Sequence, residues 1–133
     1  GTGRRLKEFN PEVQIIAAAP EPDDRIQGLR DLEEGFVPPI LDLAMLDARI
    51  MVSGEESFRR TAELLRREGV FAGVSSGAVL AAATRLAARL AAKNTEANIV
   101  CLFADGGWKY LSTGLWTKAY DELKSMVEGK IWW

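Results

Sequence analysis

Apolar positions along this chain fall into two kinds of run. Residues 13–19 (VQIIAAA), 47–53 (DARIMVS), 70–74 (VFAGV) and 98–103 (NIVCLF) are short and apolar-rich. Runs of that length and character read as strands covered on both faces, as in a parallel sheet. Elsewhere the spacing turns helical. Leu6 and Phe9 stand three apart among charges before Asn10-Pro11 ends the pattern, as expected for the last turns of a helix. Gly54-Glu55-Glu56 is an acidic helix start followed by Phe58, Ala62 and Leu65 at helical intervals, and Arg66, Arg67 and Glu68 close it before Gly69. An alanine-rich stretch over 78–93 and the stretch 112–127 predict two further helices. Strand and helix alternate without an internal repeat, which predicts an α/β fold: a three-layer parallel sheet with helices on both faces. The exception is 20–39, which carries four of the five prolines and is long for a structureless connection, so it holds either a short helix or a functional loop.

Composition narrows the possible chemistry. The 133 residues make one domain's worth of chain with formal charge −2, so the basic field that nucleic-acid binding requires is absent. No apolar run approaches the roughly 18 residues of a membrane span. There is no histidine, which removes imidazole base chemistry and most zinc sites, and no metal is expected. Cys101 is the single cysteine; its apolar neighbours predict a buried, inert thiol in a cytosolic, cytoplasmic protein.

In open parallel sheets, ligands bind at the carboxyl ends of the strands, here the loops after Ala19, Val74 and Phe103. Ser75-Ser76-Gly77 offers two hydroxyls and free N–H groups at a helix start, suited to an acceptor atom or an anion, although serine there is also an ordinary cap. Asp105-Gly106-Gly107 reads as a turn. Gly1-Thr2-Gly3 lacks the preceding strand that a phosphate loop needs. Arg30, between Leu29 and Leu32 in the long loop, could fork onto a phosphate or carboxylate, or sit solvated on the surface.

Taken together, Ile26-Gln27-Gly28, Glu34-Gly35-Phe36-Val37-Pro38-Pro39, the stretch 68–78 (EGVFAGVSSGA) and Gly107-Trp108-Lys109-Tyr110-Leu111-Ser112-Thr113 resemble the cysteine synthase branch of the pyridoxal-phosphate enzymes of the tryptophan-synthase-β type. The resemblance implies pyridoxal 5'-phosphate as cofactor, with Ser75 hydrogen-bonded to its ring nitrogen and Asp105 and Gly106 walling that side. A neutral hydroxyl there favours elimination over transamination. It also implies Gly28 and the loop through Gly35 facing the substrate. The implied reaction is β-replacement on O-acetylserine or O-phosphoserine by a sulfur nucleophile, giving cysteine. The stretches 28–35 and 105–109 look most like the branch that uses O-phosphoserine, in which an arginine matching Arg30 binds the substrate phosphate.

The partners implied are a small amino-acid substrate and a sulfur donor, either free sulfide or a thiocarboxylated carrier protein, within a homodimer. The family's Schiff-base lysine, its asparagine beside the cofactor and its phosphate loop lie upstream of the segment resembling Gly1-Thr2-Gly3. Lys7, Lys93, Lys109, Lys118, Lys124 and Lys130 do not match the lysine motif. Residues 1–133 are therefore expected to be the C-terminal part of the cofactor-binding domain of a larger enzyme, without a catalytic lysine and inactive alone. Sibling readings are a cystathionine β-synthase or a serine/threonine dehydratase; a reading of another class is a non-catalytic binding module. Ile131-Trp132-Trp133 is expected to dock on its own domain, at a dimer interface or near the cleft, since indoles bury large apolar areas.

Overall fold

The computed structural model describes residues 1–32 and 37–127, with side chains as far as Leu123. Glu33 through Phe36 and the tail at 131–133 lie outside the described residues. The chain opens with helix α1 (Thr2–Phe9) and enters strand β1 (Ile16–Pro20). After the long connection and a single 3₁₀ turn, Leu43–Met45, it forms strand β2 (Ala48–Val52). The two strands pair in parallel, Ile16 opposite Ala48 through Pro20 opposite Val52. Asp47 fixes the start of this register: one carboxylate oxygen accepts from the Ile15 N–H at 2.6 Å and the other from Lys7 Nζ at 2.7 Å. Those two donors hold the carboxyl below its ordinary range, the Ile15 N–H contributing most.

Helix α2 (Gly54–Glu68) follows β2 directly. Its start is capped twice: Ser53 Oγ accepts from the Glu56 N–H at 3.2 Å, and Asp24 Oδ2 accepts from the Gly54 N–H at 2.6 Å. Gly69, at φ +69°, ends it in the left-handed conformation. Helix α3 (Val74–Ala92) begins five residues later, packs on α2 and lies against both strands. Val52, Phe58, Val74, Ala78, Ala81 and Ala82 form the core with Ile26, Ile50, Leu115 and Leu123. Further along α3, Arg85 donates to the Met51 carbonyl of β2 and to Glu56 of α2, joining three elements through one fork. A 3₁₀ helix, Gly107–Thr113, and helix α4 (Tyr120–Val127) complete the described chain.

The parallel α/β order agrees with the sequence reading, but among the described residues the sheet holds two strands rather than four. Residues 70–73 make only an isolated antiparallel bridge, Ala72 to Gly106, and Val74 is taken into α3. Within residues 98–103 Val100 and Leu102 are 93% and 77% exposed with Cys101 half-buried between them, and Ile99, Val100 and Cys101 line an apolar groove with Ile16, Ala18 and Ile50. That alternation of exposure is strand-like, but no strand among the described residues pairs with it. Cys101 is accordingly half-buried rather than fully buried, and partial burial raises its thiol pKa, leaving it a weak nucleophile. The helix expected over 112–127 is divided by Gly114, at φ +76°, which ends the 3₁₀ helix before α4 begins.

Helices α2 and α3 meet closely at Gly77 of α3. A Cβ there would lie 1.9 Å from the Ser57 carbonyl oxygen and 2.2 Å from Thr61 Oγ1, so no side chain fits without separating α2 from α3. Gly69 is different, because it has positive φ but open space around it. Gly77→Ala should lower the stability read from a urea unfolding midpoint by about 2 kcal/mol or more, from overpacking. Gly69→Ala should cost about 1 kcal/mol, from backbone strain alone. Equal losses at the two positions would contradict the close-packing account.

Candidate functional site

The candidate residues converge on the first turn of α3. Its N-cap is Gly73, with no side-chain cap. Ser75 and Ser76 therefore lie inside the helix, not in a turn before it, and capping does not account for Ser75. The Ser75 residue is 9% exposed. Its hydroxyl enters no hydrogen bond among the described residues, in contrast to the neighbouring hydroxyls of Ser57 and Thr61.

Facing Ser75 is Gly28. Residues 26–29 form a tight turn closed by the Leu29 N–H on the Ile26 carbonyl at 3.0 Å. Gly28, at its third position, has φ +83°, a conformation that glycine adopts without steric cost. A Cβ on Gly28 would come within 3.5 Å of both Cβ and Oγ of Ser75. A side chain at that position would lie in van der Waals contact with the hydroxyl. Buried Ile26 anchors the turn in the core. Arg30, two residues past Gly28, is exposed.

The other wall comes from residues 105–107, which are zipped to 71–73 immediately before α3. The Gly73 N–H donates to the Asp105 carbonyl at 3.0 Å and the Gly107 N–H to the Phe71 carbonyl at 3.1 Å, flanking the Ala72–Gly106 bridge. Asp105 Oδ1 lies so close to Gly73 that any Cβ there would be 2.0 Å from it. Oδ2 accepts from Tyr110 Oη at 3.0 Å and from Lys109 Nζ at 3.4 Å. A carboxylate at the amino end of α3 also complements the helix dipole.

Three buried polar atoms in these segments have no partner: Gln27 Nε2, Ser76 Oγ and Asp105 Oδ1. Leaving a buried polar group unpaired costs about 1–3 kcal/mol, and these three belong to the segments that meet at the start of α3, where the Ser75 hydroxyl also has no partner among the described residues. The structure thus brings Ser75, Gly28, Asp105 and Gly106 to one helix start. Sequence reasoning singled out both serines of Ser75-Ser76-Gly77 but gave no role to Gln27 or Tyr110, nor to the buried hydroxyls of Ser57 and Thr61. The available signal was polar residues at i, i+4 beside the apolar stripe of Phe58 and Ala62.

Comparison with known proteins defines the class. The family model described as "Pyridoxal-phosphate dependent enzyme" matches residues 1–105. The chain belongs to that family. Its similar relatives include the cysteine synthase of Aquifex aeolicus (strain VF5), 43% identical over 118 residues, which are 88% of this chain and 36% of that protein. Cysteine synthase B of Escherichia coli (strain K12) is 33% identical, covering 86% of this chain and 37% of that protein. The chain thus spans well under half the length of these relatives. Among solved structures, O-acetyl serine sulfhydrylase isoform 3 from Entamoeba histolytica superposes with a TM-score of 0.76 over 93% of this chain and 40% of that one. At 24% identity it shows the fold. The O-acetylserine dependent cystathionine β-synthase from Helicobacter pylori gives 0.70 at 31% identity, over 86% and 39% of the two chains.

The Ser75 hydroxyl suits the ligand of this family: with no partner among the described residues it can hydrogen-bond a pyridine nitrogen, and Gly28 beside it has no side chain to cover it.

The contact between Asp105 and Tyr110 can be checked by titration. Burial, and then the adjacent carboxylate, push the Tyr110 phenol from 10.0 up to about 12. A raised folded-state value means that its contribution to stability is complete below pH 10 and is lost as pH rises through about 12. Phenolate absorbance, taken as a difference from Tyr110→Phe, should show a midpoint near 12 that falls toward 10 in Asp105→Asn. A midpoint unmoved by that substitution would contradict the contact.

Proposed function

We propose that this chain supplies the ring-nitrogen side of the cofactor site of a pyridoxal-phosphate dependent cysteine synthase, as the C-terminal part of its cofactor-binding domain. One observation carries the reading: among the described residues the Ser75 hydroxyl has no hydrogen-bond partner, and it lies beside Gly28 at the start of α3. The names of the similar relatives support the activity. Bound pyridoxal phosphate supplies the electron sink that lets a β-substituent leave an amino-acid substrate.

The residues of this chain have distinct tasks. Ser75 orients the ring by hydrogen-bonding its nitrogen. As a neutral hydroxyl, it does not hold a proton on that atom as a carboxylate would, which weakens the sink and favours β-elimination and replacement over transamination. Asp105 and Gly106, held to the strand-like segment before α3, wall that side and exclude water. Gly28 lets the substrate approach. Arg30 binds the leaving phosphate of O-phosphoserine through its fork of N–H donors. The sulfur nucleophile is sulfide or a thiocarboxylated carrier protein.

Two substitutions in the complete enzyme test this. Ser75→Ala should weaken cofactor binding by about tenfold, the order expected for one lost hydrogen bond, as measured by equilibrium dialysis. Unchanged affinity would remove Ser75 from the site. Arg30→Ala should raise KM for O-phosphoserine by about tenfold or more and leave KM for O-acetylserine within about twofold, because the guanidinium pairs with a dianion that the acetyl ester lacks. Equal effects on both substrates would overturn the phosphate assignment.

A further inference from the structure

The Ser75 hydroxyl can meet a ring nitrogen only if the peptide that carries it is held still, and the structure supplies a holder that belongs to another helix. Ser57 of α2 is fully buried, and its Oγ donates to the Val74 carbonyl of α3 at 2.7 Å. Thr61, one turn later and also fully buried, donates through Oγ1 to the Ser57 carbonyl at 2.8 Å and lies 3.3 Å from the same Val74 oxygen. The Val74 carbonyl and the Ser75 N–H belong to one planar peptide unit. Fixing the oxygen therefore fixes the plane from which the Ser75 Cα–Cβ bond leaves. A hydroxyl has a single proton to give, so Thr61 spends most of its bonding on Ser57 and holds Val74 weakly. Ser57 is the principal contact. Gly77 lets this contact form, since a side chain there would collide with the Ser57 carbonyl and Thr61.

We propose that Ser57, with Thr61 behind it, is a positioning residue for cofactor binding: by anchoring the Val74 carbonyl it aims the Ser75 hydroxyl into the space beside Gly28. This rests on the reading of Ser75 given above. Neither side chain touches the site itself. Both act through one backbone carbonyl, so their effect on the cofactor must pass through Ser75.

A double-mutant cycle in the complete enzyme separates this role from general packing. The dissociation constant of pyridoxal phosphate is measured by equilibrium dialysis for Ser57→Ala, Ser75→Ala and the double variant. Thermal midpoints of the cofactor-free proteins are recorded beside them. Ser57→Ala should weaken binding about fivefold when Ser75 is present and less than about twofold when it is alanine. Equal losses in both backgrounds, or a lowered midpoint with unchanged affinity, would overturn the proposal. Should Ser75→Ala alone leave affinity unchanged, the reading of Ser75 fails and this one fails with it; an effect of Ser75→Ala without one of Ser57→Ala sinks the positioning role only. If Ser57→Ala does not fold, Thr61→Val against Thr61→Ser decides by the same comparison. The serine variant should keep wild-type affinity, and the valine variant should lose about threefold only where Ser75 is present.

Discussion

The site depends on how closely α3 can approach α2. Gly77 presents no side chain, so the Ser57 carbonyl and the Thr61 hydroxyl occupy the volume that a Cβ would need. This contact brings buried hydroxyls within reach of the Val74 carbonyl, which they partner. It also sets Val74, Ala78, Ala81 and Ala82 into the core with Val52 and Ile50 of β2. Small residues along this face of α3 allow the approach; large ones would forbid it. Farther along the same helix the fork from Arg85 to Glu56 and Met51 holds its middle. Ser75 therefore stands on a helix held at two points.

Around that fixed helix start, two loops are placed by different means. The turn at 26–29 is held by buried Ile26 and by the positive φ of Gly28. Residues 105–107 are held by backbone hydrogen bonds to 71–73 and by the contacts of Asp105 with Tyr110 and Lys109. Among the described residues, buried polar atoms of Ser76, Gln27 and Asp105 are left without partners beside Ser75, while the buried hydroxyls of Ser57 and Thr61 are paired.

Much of this was legible in the sequence because it was written in local terms. Helix α2 follows from the acidic start Gly54-Glu55-Glu56 and an apolar stripe, and β1 and β2 from short apolar runs. Ser75, Gly28, Asp105 and Gly106 stood out by motif, and the structure brings them to one helix start. What failed was whatever depended on a distant partner. Residues 98–103 have the composition of a buried strand and even its alternation, but a strand is defined by a neighbour, and none of those described pairs with it. The place of Ser75 inside α3 rather than before it turned on Gly73 taking the cap. The i, i+4 spacing of Ser57 and Thr61 beside the apolar stripe could place them near the core but not name their partner, a carbonyl 13 to 17 residues away, because no side-chain pattern reports a backbone acceptor.

The central claim is that a neutral hydroxyl on α3 is held open for the ring nitrogen of the cofactor. The most direct measurement is the nitrogen-15 chemical shift of ring-labelled pyridoxal phosphate bound to the complete enzyme and to its Ser75→Ala form. The account predicts a hydrogen-bonded, unprotonated ring nitrogen whose signal moves when Ser75 becomes alanine. A signal identical in the two proteins, or one from a fully protonated nitrogen in both, would contradict it.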